Sequence, residues 1–208
     1  MNAADAALPR SFFERDALAV APELLGKVLV RRAPEGTRAG RIVEVEAYRG
    51  EDDPASHAFR GPTPRTRTMF GPAGHLYVYF SYGMHWCANV VCAPPGQAAA
   101  VLIRALEPIE GVEAMTAARP GARRPVDVAN GPAKLCEALG ITGVDDGADL
   151  VVGDRAIQVL DDGTPAPDAP GVGPRVGISV AVDHPWRWFD AGSPFVSRAP
   201  ARSAVTRA

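Results

Sequence analysis

A chain of 208 residues, 47 % hydrophobic and 22 % charged, carries enough apolar material for one globular core and too little length for two comfortable domains. Its formal charge of −2 and pI near 6.1 argue against a diffuse polyanion-binding surface, because non-specific nucleic-acid affinity comes from neutralising phosphates. Cys87, Cys92 and Cys136 are odd in number and form no C-x-x-C pair, which argues against a disulfide framework or a structural zinc site and suits a reducing cytoplasm.

Residues 1–10 read as a disordered N-terminus without the regions of a signal peptide, and no apolar run is long enough to span a bilayer. Ser11 can cap a short helix through Phe12, Phe13, Leu18 and Val20, after which Pro22 restarts a turn that Gly26 closes. Lys27 to Arg32 reads as a strand, and Pro34-Glu-Gly-Thr37 turns the chain back into the strand Arg41 to Tyr48. Along that strand Val43, Val45 and Ala47 share one face, and Glu44, Glu46 and Tyr48 share the other. His75 to Asn89 forms an aromatic hairpin with Tyr82-Gly83 at its tip, where glycine tolerates the positive φ of a tight turn.

Ala99 to Arg104 is an apolar strand ending on an arginine, and Glu110 to Ala118 reads as a helix. Asn130 to Gly140, with a cap, an early proline and a closing glycine, is a second helix, and Lys134 one turn in could hold a phosphate. Leu150 to Val152, Ala156 to Leu160 and Arg175 to Val182 read as strands. Asp161 to Pro174 reads as a loop that need not be ordered, and the residues from 199 on as a loose tail after a domain over 11–198. Helices among hairpins without βαβ alternation predict an α+β fold, a single domain on a largely antiparallel sheet.

All four tyrosines, Tyr48, Tyr77, Tyr79 and Tyr82, lie between Arg41 and Asn89. Tyr48 shares a strand face with two carboxylates, so that face is better explained as a pocket for a flat, electron-poor ligand than as apolar interior. Glu44 and Glu46, roughly 7 Å apart along a strand, fall within the spacing of an inverting glycosidase pair, but both leave the sheet in the same direction, whereas such a pair must flank the scissile bond. One carboxylate acting on water fits better, with Glu44 turned to arginine partners or solvent. His57, His75, His85 and Cys87 lack a third and fourth ligand at a recognisable spacing, so no metal is expected. Arg60, Arg65 and Arg67 fall in an acid-free segment from Ala58 to Met69, and Arg119, Arg123 and Arg124 make a second cluster.

The runs Gly40-Arg-Ile-Val-Glu-Val-Glu-Ala-Tyr48, Thr63-Pro-Arg65, Met69-Phe-Gly71, Leu76-Tyr-Val-Tyr79, Tyr82-Gly-Met84, Cys87-Ala-Asn89, Arg104-Ala-Leu-Glu-Pro108, Gly131-Pro-Ala-Lys-Leu-Cys136 and Gly192-Ser-Pro194, with His57, resemble the 3-methyladenine (alkyladenine) DNA glycosylase family of the vertebrate type, in register from about Phe12 to Ser197. The resemblance implies a curved sheet with a protruding hairpin and peripheral helices. It implies a monofunctional enzyme, without cofactor, that flips an alkylated or deaminated purine from double-stranded DNA and hydrolyses its glycosidic bond. Glu46 would be the general base, holding the water with Arg104. Tyr48, His57 and Tyr79 would sandwich the base, and Asn89 would crowd out guanine's amino group. Tyr82 and Met84 would wedge into the minor groove, and Arg60, Arg65, Arg67 and Lys134 would meet the backbone. A cytoplasmic monomer, nucleoid-associated in a bacterium, is the expected setting. A non-catalytic damage-binding module would have no use for Glu46 beside Arg104, and a small-molecule nucleosidase none for an aromatic tip.

Overall fold

The computed structural model describes residues 6–198; residues 1–5 of the expected disordered start and the tail from 199 lie outside the described residues. Residues 6–10, expected to be disordered, are structured. Ala6–Ala7 (β1) pairs antiparallel with Ile157–Asp161 (β7), and Leu8 is buried behind it. The single helix expected from Ser11 is two, Arg10–Phe13 (α1) and Ala17–Leu24 (α2). The break falls at Asp16, whose carboxylate accepts the Leu18 N–H at 2.9 Å and caps a new start. Pro22 lies inside α2 instead of opening a turn.

Val28–Ala33 (β2) and Gly36–Tyr48 (β3) form the expected hairpin. Leu76–Ser81 (β4) and His85–Val91 (β5) form the aromatic one, and Ala100–Glu110 (β6) joins the two hairpins. The sheet order is β1-β7-β2-β3-β6-β5-β4, antiparallel throughout these pairs. At thirteen residues β3 is the spine. One edge pairs along its length with β6; the other pairs first with β2 and then, from Glu44 to Glu46, with Arg187–Phe189 (β9). Three register shifts interrupt the β3–β6 ladder, two on β6 and one on β3, leaving Ile109, Arg104 and Val43 without opposite partners. Such bulges bend a sheet and re-aim the side chain that carries them.

The polar positions of β3 are no more exposed than the apolar ones, since Ile42 to Ala47 are all buried. Val45 and Ala47 pack with α2 and the helix Pro132–Leu139 (α4) into the main core around Phe13, Leu24, Ile103 and Leu139. Beyond the sheet's other face, a smaller cluster of Ala58, Met69, Tyr77, Val91 and Ala100 sits beneath the loop that carries His57 and Arg65.

Further departures have local causes. β6 runs through Glu110, so the helix expected there starts late, as Val112–Ala117 (α3). Gly111 has φ 67° between them, where any side chain would collide with the Thr37 carbonyl. Leu150–Val152 is a turn, because the Asp149 carboxylate draws in the Val151 and Val152 N–H groups. The loop from Asp161 to Pro174 contains a short strand, Gly171–Gly173 (β8), paired with β9. Arg175 to Val182, expected as a strand, is irregular. β9 has taken the sheet edge beside Glu44, and the Arg175 side chain and Val176 N–H turn inward to Asp53 and Glu46.

Candidate active site

The polar face of β3 ends in a cleft of about 720 Å³ whose walls include Tyr48, His57, Tyr79, Asn89, Arg104 and Val176. Glu46 lies directly behind three of these. Tyr48 Oη donates to its Oε2 at 2.9 Å, the Val176 N–H donates to Oε1 at 2.6 Å, and Arg104 Nη1 stands 3.2 Å from Oε1. Burial pushes the Glu46 carboxyl above its ordinary value, opposed by Arg104 and by the two donors. A carboxylate offers about four lone-pair sites, so three donors leave room on Oε2 for one more proton. The ring of Tyr48 is itself braced. The Arg175 guanidinium lies between Tyr48 and Trp186, its Cζ 4.6 Å and 5.0 Å from their centroids, and is paired with Asp53, the Nη2 to Oδ1 distance being 2.8 Å. Both members of that pair have fully buried side chains. Asp53 also accepts the Arg49 and Ala55 N–H groups, which shapes the loop leading to His57.

The other wall is aromatic. His57 and Tyr79 meet edge to face with centroids 4.4 Å apart, Tyr77 and Tyr79 stack at 5.6 Å, and His57 Nδ1 lies 3.1 Å from the Tyr77 hydroxyl. Burial and the neighbouring Arg65 lower the His57 pKa, so the imidazole is neutral at neutral pH. Burial pushes Tyr77 up to about 12 and raises Tyr79 further, so both are phenols rather than phenolates. Asn89 is buried at the cleft floor, its amide donating to the Tyr77 carbonyl at 3.2 Å.

Tyr82 and Met84 stand on the rim at the tip of the β4–β5 hairpin, 85 % and 66 % exposed. Tyr82 and Gly83 both take positive φ, 50° and 68°, and the Met84 N–H closes the turn onto the Ser81 carbonyl. For a tyrosine that conformation is uncommon, and such strain gathers at functional positions. Phe80 and Trp86 pack across the strands below it, 4.6 Å apart, and hold the hairpin upright.

The arginine clusters divide. Arg65 leaves its segment to lie over the Tyr79 ring, 5.6 Å from the centroid, while Arg60 and Arg67 are exposed on the same side. In the second cluster, expected to be open cations, Arg119 is paired with Glu137 and Arg124 with Asp127 at 2.8 Å. Lys134 lines a second cavity of about 560 Å³ with Arg124 and Arg198. That cavity shares Arg104 and Pro132 with the cleft. The Lys134 ammonium donates to Asn130 at 2.7 Å, so Asn130 does not cap α4, which begins after Gly131 with no side-chain cap.

Sequence reasoning thus names Glu46, Tyr48, His57, Tyr79, Asn89 and Arg104, which the fold brings to one cleft. It misses Asp53, Tyr77, Arg175, Val176, Arg187 and Ser197. The pairs that give these residues meaning, such as Asp53 with Arg175 and Glu44 with Arg187, are separated by 122 and 143 positions. Only the acid before Pro54 and the arginine opening an apolar run could have drawn attention. Glu44 is turned to Arg104, Arg187 and Ser197 and not to solvent, which ends its candidacy as the second member of a glycosidase pair. Among the described residues no three His, Cys, Asp or Glu side chains gather as a metal-ligating group, and no helix is long and apolar enough to cross a membrane.

Residues 11–194 match the methylpurine-DNA glycosylase (MPG) family. The chain belongs to that family. A Burkholderia lata relative named “Putative 3-methyladenine DNA glycosylase” is 56 % identical over 192 residues, covering 92 % of this chain and 91 % of its own. Relatives of the same name from Koribacter versatilis and Methanocella arvoryzae are each 50 % identical, covering 92 % and 93 % of this chain and 93 % and 97 % of their own. The protein is therefore a DNA glycosylase of DNA repair. A non-catalytic module and a small-molecule nucleosidase give way to that reading.

Proposed function

We propose that this glycosylase excises alkylated or deaminated purines, of the 3-methyladenine, 7-methylguanine and hypoxanthine class, from double-stranded DNA by hydrolysis alone, as the first step of base excision repair. Tyr82, with Met84 beside it, enters the minor groove and fills the space of the departing nucleotide, an unstacking that is cheapest at a damaged, poorly paired base. The extruded purine stacks between Tyr48 on one side and His57 and Tyr79 on the other. Cationic N-alkyl purines gain most from electron-rich rings. Asn89 crowds the edge where guanine carries its amino group, and Arg60, Arg65, Arg67 and Lys134 meet the phosphates.

Glu46 takes a proton from a water seated at the open site on Oε2. The water oxygen bonds to C1′, the C1′–N bond breaks, and the electron pair leaves with the purine. A cationic base departs neutral and needs no acid. Arg104 and the Val176 N–H favour the ionised carboxylate and oppose the effect of its burial. The observation that carries this reading is the convergence of three cleft residues, Tyr48, Arg104 and Val176, on one buried carboxylate with a single acceptor site to spare. A cytoplasmic monomer, at the nucleoid in a bacterium, is the setting that suits it.

The test is to incubate the protein with a duplex carrying one 3-methyladenine or hypoxanthine. The expected result is free base, strand breaks only after alkali, and no adduct trapped by borohydride, because among the described residues no lysine, whose amine could form a Schiff base, lines the cleft. An intact duplex, or an adduct lost in Lys27→Ala or Lys134→Ala, would contradict the proposal.

A further inference from the structure

Glu44 has no exposed surface, and both of its carboxylate oxygens accept hydrogen bonds. Oε1 accepts from Arg104 Nε at 3.0 Å, Arg187 Nε at 2.6 Å and Ser197 Oγ at 2.9 Å, while Oε2 accepts the Ser197 N–H at 2.7 Å. Three donors crowd Oε1 and one meets Oε2, and of the residues that supply them only Arg104 lines the cleft, so the carboxylate is turned away from any water there. What Glu44 does hold is the residue that faces Glu46. Arg104 stands unpaired at the bulge of β6 between the two acids, its Nε on Glu44 and its Nη1 on Glu46. The planar guanidinium fixes the angle between those nitrogens, so anchoring Nε determines where Nη1 points.

We infer that Glu44 is a positioning residue, which anchors Arg104 on the side away from the cleft so that the same guanidinium addresses Glu46. This rests on the reading of Glu46 as the general base. The charge matters as well as the shape. Glu44 and Glu46 balance Arg104 and Arg187 within one buried patch, and a neutral amide at position 44 would leave one cation uncompensated and set its own N–H against a donor. β9 and the Ser197 segment are tied to the site through the same oxygens, so the C-terminal part of the chain holds the catalytic arginine without entering the cleft.

The groups that face Glu46 give the inference a signature. They are Arg104 from β6, Tyr48 and Glu44 from β3 itself, the Val176 N–H, and Tyr79 from β4, with Arg175 behind Tyr48 and Arg187 opposite Glu46 in register. Of these Glu44 works to raise the Glu46 pKa and Arg104 to lower it. Removing the anchor of Arg104 weakens the larger of these two influences, the one that opposes burial, and outweighs the loss of the Glu44 charge. Glu46 then holds its proton to higher pH, and the acid limb of the excision profile moves up. Loss of folded protein would scale the profile without moving it.

The experiment is single-turnover excision against pH on duplex DNA carrying a cationic 7-methylguanine, for wild type, Glu44→Gln, Arg104→Lys and the double variant, with Glu46→Gln in parallel. A misplacement of this kind costs up to roughly 10² in rate. The expected result is a plateau loss of that order for Glu44→Gln, an acid limb displaced upward, and little further loss when the change is made in Arg104→Lys, because both act through one side chain. If Glu44→Gln does not fold, Glu44→Asp keeps the charge and enters the same cycle with the same expected non-additivity. A near-wild-type plateau, a limb that stays in place in Glu44→Gln, or losses that add with Arg104→Lys would overturn this inference while leaving Glu46 as the base, provided Glu46→Gln is inactive. Excision retained by Glu46→Gln would overturn the reading of Glu46 and this inference with it.

Discussion

Glu46 and Tyr82 stand at opposite extremes of how a side chain can be held. Glu46 is out of solvent, bonded by a phenol, a guanidinium and a backbone amide, and set on the longest strand of the sheet. Tyr82 is almost wholly exposed in a strained turn, with the Phe80 and Trp86 pair supporting the hairpin only from below. The difference suits the two tasks proposed for them. Proton transfer needs a fixed geometry before substrate arrives, whereas a wedge needs a side chain whose partners are the bases it will replace. Rigid network and bare tip should therefore fail in different ways when each is damaged.

The largest effect is expected where the network is most buried. Arg175→Ala removes the partner of Asp53 and the brace of Tyr48, and an uncompensated buried charge costs about 3 to 5 kcal/mol. Urea unfolding should show that loss. A change under about 1 kcal/mol would mean that surface-like screening reaches the pair. Next is the tip. Tyr82→Ala should leave stability unchanged and weaken binding to a lesion in duplex DNA by the ~1–3 kcal/mol of a lost aromatic stack, with a much smaller effect on the same lesion in a single strand. Equal losses on both substrates would make Tyr82 an ordinary contact.

The sequence made the tip easier to foresee than the network. Tyr82-Gly83 announces itself because glycine beside an aromatic, between two alternating runs, has one economical explanation, and the turn forms there. The alternation of Arg41 to Tyr48 likewise puts Glu44, Glu46 and Tyr48 on one face, and they share one arginine and one hydrogen-bond chain. What alternation hides is the bulge at Val43 and Arg104, which depends on how two strands settle against each other. It also hides the fate of Arg175 to Val182. That run has the residues of a strand, but β9 holds the edge it would need, and a buried aspartate 122 positions away holds its first side chain. Of the family motifs, those within one strand or turn were legible as geometry; those joined by distant ion pairs were not.

The smallest effects belong to the cations proposed to meet phosphates. Arg60→Ala, Arg67→Ala and Lys134→Ala should each lower the slope of log affinity against log salt by about 0.9 without altering the excision rate of bound substrate. Arg119→Ala and Arg124→Ala should lower it less, since Glu137 and Asp127 already occupy those guanidiniums. An unchanged slope in the first group would remove those side chains from the interface.

The most direct test of the account is Glu46→Gln, measured for duplex affinity and single-turnover excision on the same 3-methyladenine substrate. The amide keeps the shape and accepts on one side, but it cannot take a proton from water. Affinity should remain within a few-fold of wild type while the excision rate falls by about 10² to 10⁴. Excision near the wild-type rate, or affinity and rate lost together, would contradict the assignment of the chemistry to that carboxylate.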